Sequence, residues 1–336
     1  MNLKTKYLGL ELKNPIIVGA SNLVKDLNIL KRLEDAGAGA IVYKSLFEEQ
    51  IQLENLQQYQ TEEDYGARHA EMTSGMTNLE DAGPEEFLFH LRKAKDAVQI
   101  PLIASLNAVY EESWVEYAQK IEQTGVDALE LNFYSTNYEF DVMGKAIVQE
   151  QIDILESIVK IVKIPVSVKL SPFYTNPLYI INEMDKIGVK GFVLFNRLFQ
   201  PDIDIEKEVH HFPYNLSHHE DNRLALRYAG LLYGNIKADI CSNTGILSGP
   251  DVIKMLLAGA NCVQVVSAVY QKGPKQISTM LDELEGWMKH KGYESISDYR
   301  GKLSKNNLKD IYAYKRAQYV DILMKSDEIF KKYPIA

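Results

Sequence analysis

Short runs of β-branched and other apolar residues alternate along almost the whole chain with longer segments whose apolar residues recur at helical spacing. The runs cover residues 15–19, 40–44, 101–106, 128–133, 165–170, 191–196, 238–242 and 262–266. Helical spacing covers, among others, 27–36, 84–97, 113–124, 148–162, 224–232 and 250–258. Four junctions read alike: DAGAGAIVY, QTGVDALEL, KIGVKGFVL and LAGANCVQV each place a glycine just after a helix and an apolar run just after that glycine. Glycine suits the position because the residue that ends a helix commonly takes left-handed backbone. Apolar strands that recur singly between helices predict a parallel sheet covered by helices. Eight such units predict an α/β protein, a (β/α)8 TIM barrel with insertions at its C-terminal face. A doubly wound sheet is the alternative, but no GxGxxG follows the first run.

At 336 residues the chain exceeds the about 250 usual for such a barrel by about 86. The surplus falls after the second run, after the sixth, and beyond residue 304. Hydrophobic residues make up 46% and charged residues 25%, enough apolar material for a large core and too much for intrinsic disorder. Lys and Arg number 37 against 46 Asp and Glu, a net charge of −9, which excludes the basic footprint of a nucleic-acid binder and requires any phosphate site to be local. No stretch approaches the roughly 20 apolar residues of a membrane span, and the first residues lack a signal-peptide pattern, so a soluble cytoplasmic protein is expected. Cys241 and Cys262 are the two cysteines, both inside apolar runs, and read as core thiols; there is no disulfide framework and no cysteine cluster.

In a barrel of this kind the active site is built where the strands end, so polar residues at those positions carry the chemistry. They are Ala20 and Ser21, Lys44 and Ser45, Ser105 and Asn107, Asn132, Lys169, Asn196, Asn243 to Gly245, and Ser267. A lysine closing AIVYK or embedded in VSVKL costs several kcal/mol if left unpaired in an apolar interior. Either alone can be a rim residue reaching solvent. Two of them beside three asparagines suit a planar ligand rich in hydrogen-bonding groups and carrying partial negative charge, such as a flavin ring. In the last two units, Gly245, a helix beginning near Gly249 and Pro250, and the turn Val266-Ser267-Ala268 match a barrel phosphate site built from backbone N–H groups. The competing reading is that these glycines only shape helix caps.

From Leu8 to about Ser304 the chain resembles the FMN-dependent dihydroorotate dehydrogenases, closest to the soluble class 1 type, including the related domain of dihydropyrimidine dehydrogenases. The carriers are LGLELKNPIIVGAS, YKSL, ELNFYSTN, VSVKLSP, LFNR, LALRYAG, NTGILSGPDVIKMLLAGANCVQVVSA and GYESISDYRGKL, in this order. The resemblance implies an FMN-binding barrel over 1–304 with a C-terminal helical tail over 305–336. It implies FMN contacts from Ala20, Ser21, Lys44, Ser45, Ser105, Asn132, Lys169 and Asn196, with Gly245, Ser267 and Ala268 as the phosphate loop. It implies substrate contacts from Lys44, Gly75, Asn132, Asn137 and Asn196. The base position, three residues after the asparagine of the fourth strand, is Ser135, where soluble class 1 enzymes carry Cys followed by Pro; here Thr136 and Asn137 follow. By the family chemistry, Ser135 removes a proton from C5 of dihydroorotate while a hydride passes from C6 to flavin N5, with Lys44 and Lys169 stabilising the negative charge that develops.

The chain also departs from the family. In TSGMTNLEDAGPEEF, Gly75 and Asn78 match the pattern N-S-M-G-L-P-N, but its leading Asn falls on Met72. Arg197 stands where Ser or Thr is usual and is expected to pair with a substrate carboxylate. A different cyclic amide or enone substrate, a flavin-binding relative without catalysis, and an aldolase-like barrel using Lys169 as Schiff-base nucleophile are the alternatives. His210, His211, His218 and His219 read as polar lid residues and no metal is expected, although neutral imidazoles could form a metal site. The acidic, amphipathic run 48–66 reads as a solvated helix or partner-facing insertion. Expected partners are fumarate or a separate electron-transfer subunit as electron acceptor and a second copy of the chain as homodimer, with no nucleic acid and no membrane.

Overall fold

The computed structural model describes residues 1–49, 51, 84–134, 140–198, 201–211, 216–315, 317–325 and 331. Met72, Gly75, Asn78, Ser135, Thr136, Asn137 and most of the acidic run 48–66 lie outside the described residues.

Eight parallel strands close into a barrel: β3 (Ile16–Val18), β4 (Ala40–Val42), β6 (Leu102–Asn107), β7 (Ala128–Asn132), β8 (Val166–Leu170), β9 (Gly191–Leu194), β12 (Asp239–Ser242) and β13 (Cys262–Val265). Each pairs with the next in parallel, and β13 returns to β3 with Val263 opposite Ile16 and Val265 opposite Val18. Every apolar run of the sequence therefore became a barrel strand. The doubly wound alternative is excluded, because an open sheet would leave β3 and β13 as separate edges.

The helices between the strands are α1 (Leu27–Asp35), α2 (Glu85–Ala97), α3 (Glu111–Glu122), α4 (Gly144–Ile161), α5 (Pro177–Ile187), α6 (Asn222–Leu232) and α7 (Gly249–Ala258). After β13 follow α8 (Ser267–Lys272), α9 (Lys275–Lys291) and, in the tail, α10 (Ala317–Met324). Their buried residues, such as Leu30 and Leu33 of α1 or Leu88, Leu91 and Ala94 of α2, recur every three to four positions and pack on the outer face of the strands. Gly188 ends α5 in the left-handed region, as its junction motif predicts. No helix among the described residues is long and apolar enough to cross a membrane.

A short strand, β5 (Leu46–Phe47), pairs in parallel with the end of β6, and two antiparallel hairpins lie outside the repeating pattern. β1 (Thr5–Tyr7) and β2 (Leu10–Leu12) turn through Leu8 and Gly9, both at positive φ. This hairpin plugs the N-terminal end of the barrel, where Tyr7, Leu8 and Leu12 pack against Ile17, Ala40, Val42, Ile103, Ala128, Val193, Cys241 and Cys262. Cys241 and Cys262 sit opposite each other in register and are fully buried, as core thiols. The second hairpin, β10 (Asp202–Asp204) with β11 (Val209–His211), stands out from the loop after β9.

Candidate active site

Along the inward-facing positions of the strands, apolar residues give way to polar ones toward the C-terminal end. Ile103 is followed by Ser105 and Asn107, Ala128 by Glu130 and Asn132, Cys241 by Asn243, and Cys262 by Gln264. Side chains alternate along a strand, so two-residue steps stay on one face and stack in layers inside the barrel. The result is an apolar base and a polar mouth.

At the mouth, Asn132 stands opposite Lys169 in the β7–β8 register. Asn107 Nδ2 donates to the Asn132 carbonyl at 2.6 Å, and Asn196 Nδ2 donates to Asn132 Oδ1. Asn196 lies just past β9, where its N–H still donates to Leu170 O of the neighbouring strand at 2.8 Å. Lys169 is 7% exposed and lines a cavity of about 210 Å³ with Ala20, Asn196, Arg197, Gly245, Gln264 and Ser267. Lys44 is half-buried just beyond β4. Ser45 and Ser105 are buried and share a hydroxyl–hydroxyl hydrogen bond of 2.7 Å. The Ser21 hydroxyl is buried and makes no hydrogen bond among the described residues.

The loop after β12 is shaped by its own backbone. Gly245 has φ +72°, and a Cβ there would stand 2.6 Å from the Asn222 nitrogen and 2.7 Å from the His218 carbonyl oxygen, contacts no side chain tolerates. Thr244, also at positive φ, donates its hydroxyl to Phe195 O at 2.9 Å. Ser267 opens α8, and its Oγ accepts from the Ser217 N–H at 2.9 Å, so the eighth loop is tied to the sixth. Ala268 is buried beside it. The structure thus brings together Ala20, Lys169, Asn196, Gly245 and Ser267 around one cavity, with Asn132 bonded to Asn196 at its edge.

Arg197 departs from its expectation. Its Nη1 pairs with Asp221 Oδ2, so the guanidinium already holds a carboxylate of the protein, although it also lines the cavity. Asp221 accepts a second hydrogen bond from the His218 N–H at 2.7 Å. His219 leans the other way, its Nδ1 standing 3.0 Å from Asp251 Oδ2. Burial raises the Asp251 carboxyl pKa, but hydrogen bonds from the Ser248 hydroxyl, the Leu247 N–H and Lys254 outweigh it and hold the group below the usual aspartate range. Asp251 and the Ser248 hydroxyl also form the capping box of α7. His210 and His211 are exposed on β11, opposite Ile203 and Asp202. Among the described residues no group of three or more His, Cys, Asp or Glu side chains is placed to hold a metal ion.

A family model described as dihydroorotate dehydrogenase matches residues 2–288. The chain belongs to the dihydroorotate dehydrogenase family. It is accordingly an oxidoreductase acting on a CH–CH bond. Among curated relatives, the catalytic subunit of dihydroorotate dehydrogenase B (NAD(+)) of Methanocaldococcus jannaschii is 29% identical over 306 residues, covering 85% of this chain and 94% of that protein. A putative dihydroorotate dehydrogenase A (fumarate) of Aeropyrum pernix is 26% identical over 310 residues, 89% of this chain and 96% of the relative. The chloroplastic dihydropyrimidine dehydrogenase (NADP(+)) of Arabidopsis thaliana is 25% identical over 325 residues, 89% of this chain and 76% of the relative.

Within this dihydroorotate dehydrogenase family member, the structure adds residues that strand-end reading misses. Glu130 and Gln264 lie one layer below the mouth, joined by a 2.5 Å hydrogen bond from Gln264 Nε2 to Glu130 Oε2. Asp221 and Asp251 anchor the sixth loop. The two-residue step from Asn132 back to Glu130 is the signal that places Glu130 inside the barrel; nothing local marks Asp221.

Proposed function

We propose that this protein catalyses the FMN-dependent oxidation of dihydroorotate to orotate in pyrimidine biosynthesis. The observation that carries the reading is the amide pair at the mouth. Because Asn196 Nδ2 donates to Asn132 Oδ1, Asn132 keeps an N–H to donate and Asn196 keeps its Oδ1 to accept, and neither makes a further side-chain bond among the described residues. A dihydropyrimidine presents C=O next to N–H, the complement of that donor and acceptor.

The residues present fit FMN. The buried Ser21 hydroxyl lacks a protein partner, and Lys169 is a buried cation lining the cavity. Gly245 keeps the seventh loop free of a side chain. Lys44, Ser45, Ser105, Asn132, Lys169 and Asn196 would hold the ring, with Ala20 and Ser21 beside it and Gly245, Ser267 and Ala268 around the phosphate. When bound, FMN supplies the acceptor for the hydride that leaves C6 of the substrate.

The chain's own residues do the rest. Asn132, Asn137 and Asn196, with Gly75, orient the pyrimidine. Ser135 takes the C5 proton; a serine hydroxyl is a poor base at its free pKa, so the proton must pass on to a neighbouring group or water. Lys44 and Lys169 set positive charge where negative charge develops, an electrostatic contribution that is often the largest one. We assign re-oxidation to a separate electron-transfer subunit, with fumarate as the alternative acceptor, and the working form to a cytoplasmic homodimer.

The Arg197–Asp221 pair favours a second reading, an uncharged cyclic amide or enone as substrate, since the guanidinium expected to meet a substrate carboxylate already holds a carboxylate of the protein. Replacing Ser135 tests the main reading. Ser135→Ala is expected to retain FMN and lose dihydroorotate oxidation; a variant that turns over at the wild-type rate refutes the assigned base.

A further inference from the structure

Glu130 is a buried acid that the proposed chemistry leaves unused. It is 1% exposed and projects from β7 into the barrel, at the level of Ser105 and Ser167 in the flanking strands. Its partner Gln264 comes from β13, on the far side of the closed barrel, so their 2.5 Å hydrogen bond spans the lumen and floors the mouth. Gln264 also lines the cavity that Lys169 lines. One two-residue step above Glu130, Asn132 stands in register with Lys169. The Lys169 ammonium makes no hydrogen bond or ion pair among the described residues, and its charge reaches Glu130 through space.

The hydrogen bond alone does not account for a carboxylate here. Burying a charge costs more than burying an amide, and the Gln264 Oε1 is buried without a partner, ready to accept from an amide at position 130. A glutamine would therefore bridge the lumen better than the glutamate present. What the glutamate alone provides is negative charge beneath Lys169, in surroundings where little water screens it.

We propose that Glu130 is a positioning residue that acts through Lys169, setting a negative charge one layer beneath its ammonium and moderating its field on the flavin ring. The inference rests on the reading of this cavity as an FMN site. Protein groups tune a cofactor by the charge they set near its ring, and here that charge is a stacked cation and anion rather than a cation alone.

The test is the midpoint potential of FMN bound to the full chain, measured for wild type, Glu130→Gln, Glu130→Asp and Lys169→Met. Glu130→Gln keeps the shape and removes the charge; it is expected to fold, bind FMN and move the potential to more positive values. Glu130→Asp keeps the charge and shortens the reach, and is expected to stay at the wild-type potential. In the Lys169→Met background, Glu130→Gln is expected to give a smaller shift than in wild type. The inference is overturned if Glu130→Gln leaves the potential unchanged, if Glu130→Asp moves it as far as Glu130→Gln does, or if the shift is the same without Lys169. A wild-type chain that takes up no FMN overturns instead the reading on which the inference stands.

Discussion

Asn196 and Asn132 share a side-chain hydrogen bond that joins the ends of the sixth and fourth barrel strands at the mouth, beside the fifth strand that lies between them. Each is fixed from behind as well, Asn132 by Asn107 on its carbonyl and Asn196 by its own N–H on Leu170 O. Two amides locked in this way offer a rigid donor and acceptor, which makes recognition selective because an unmatched ligand leaves buried polar groups unpaired. Asn196→Ala removes the acceptor and strands Asn132 Oδ1. The expected cost is about 1–3 kcal/mol of ligand binding, a roughly 5- to 150-fold rise in the orotate dissociation constant of the FMN-loaded variant. Titration of the oxidised holoprotein with orotate measures it.

The pairing of Arg197 with Asp221 gives a second expectation, about specificity. Both side chains are about a third exposed, at 30% and 29%, so the pair adds little stability, of order 1 kcal/mol or less. Its effect is on the charge offered to the substrate. Asp221→Asn removes this counter-charge beside Arg197 and should raise the ratio of kcat/KM for dihydroorotate over an uncharged dihydropyrimidine, whereas Arg197→Ala should lower that ratio. Steady-state kinetics on the two substrates decides, and a ratio that neither variant moves would separate Arg197 from substrate selection.

The eight strands were legible because each is a dense apolar run between helix-period segments, four of them announced by a glycine after the preceding helix, a local signal that barrel closure does not alter. Lys169, Asn132 and Asn196 were legible for the same reason, since a strand's end is a sequence position and the fold fixes what strand ends do. Other features depend on closure itself. Glu130 and Gln264 are 134 residues apart and meet only because the eighth strand returns to the first. Arg197 was expected to meet a substrate carboxylate, and its pairing with Asp221 was not legible because Asp221 lies 24 residues on, in a polar stretch with no periodicity to locate it. The β10–β11 hairpin is silent for a related cause: DIDIEKEVHH is half charged and its Ile and Val residues are exposed, so no buried face announces it.

Acid dependence provides a third expectation. Burial pushes the Glu130 carboxyl above its ordinary range, against the pull of Lys169 and the Gln264 hydrogen bond. The folded protein therefore binds this proton more tightly than the unfolded chain. Stability from this group is greatest below the ordinary glutamate value of about 4.3 and is lost as pH rises through the higher folded value. Glu130→Gln lacks that loss. Its Tm should equal or exceed the wild-type Tm at neutral pH, and the difference should narrow as pH falls toward about 4. Thermal melts across this range test the sign; a variant that is less stable at neutral pH and no less so in acid contradicts it.

The most direct test of the central claim is spectroscopic. The purified protein, loaded with FMN and freed of oxygen, is mixed with dihydroorotate while the visible flavin absorbance is followed. The structure-based reading predicts bleaching of the flavin band with formation of one orotate per FMN. A chain that binds FMN but stays yellow with excess dihydroorotate would contradict it.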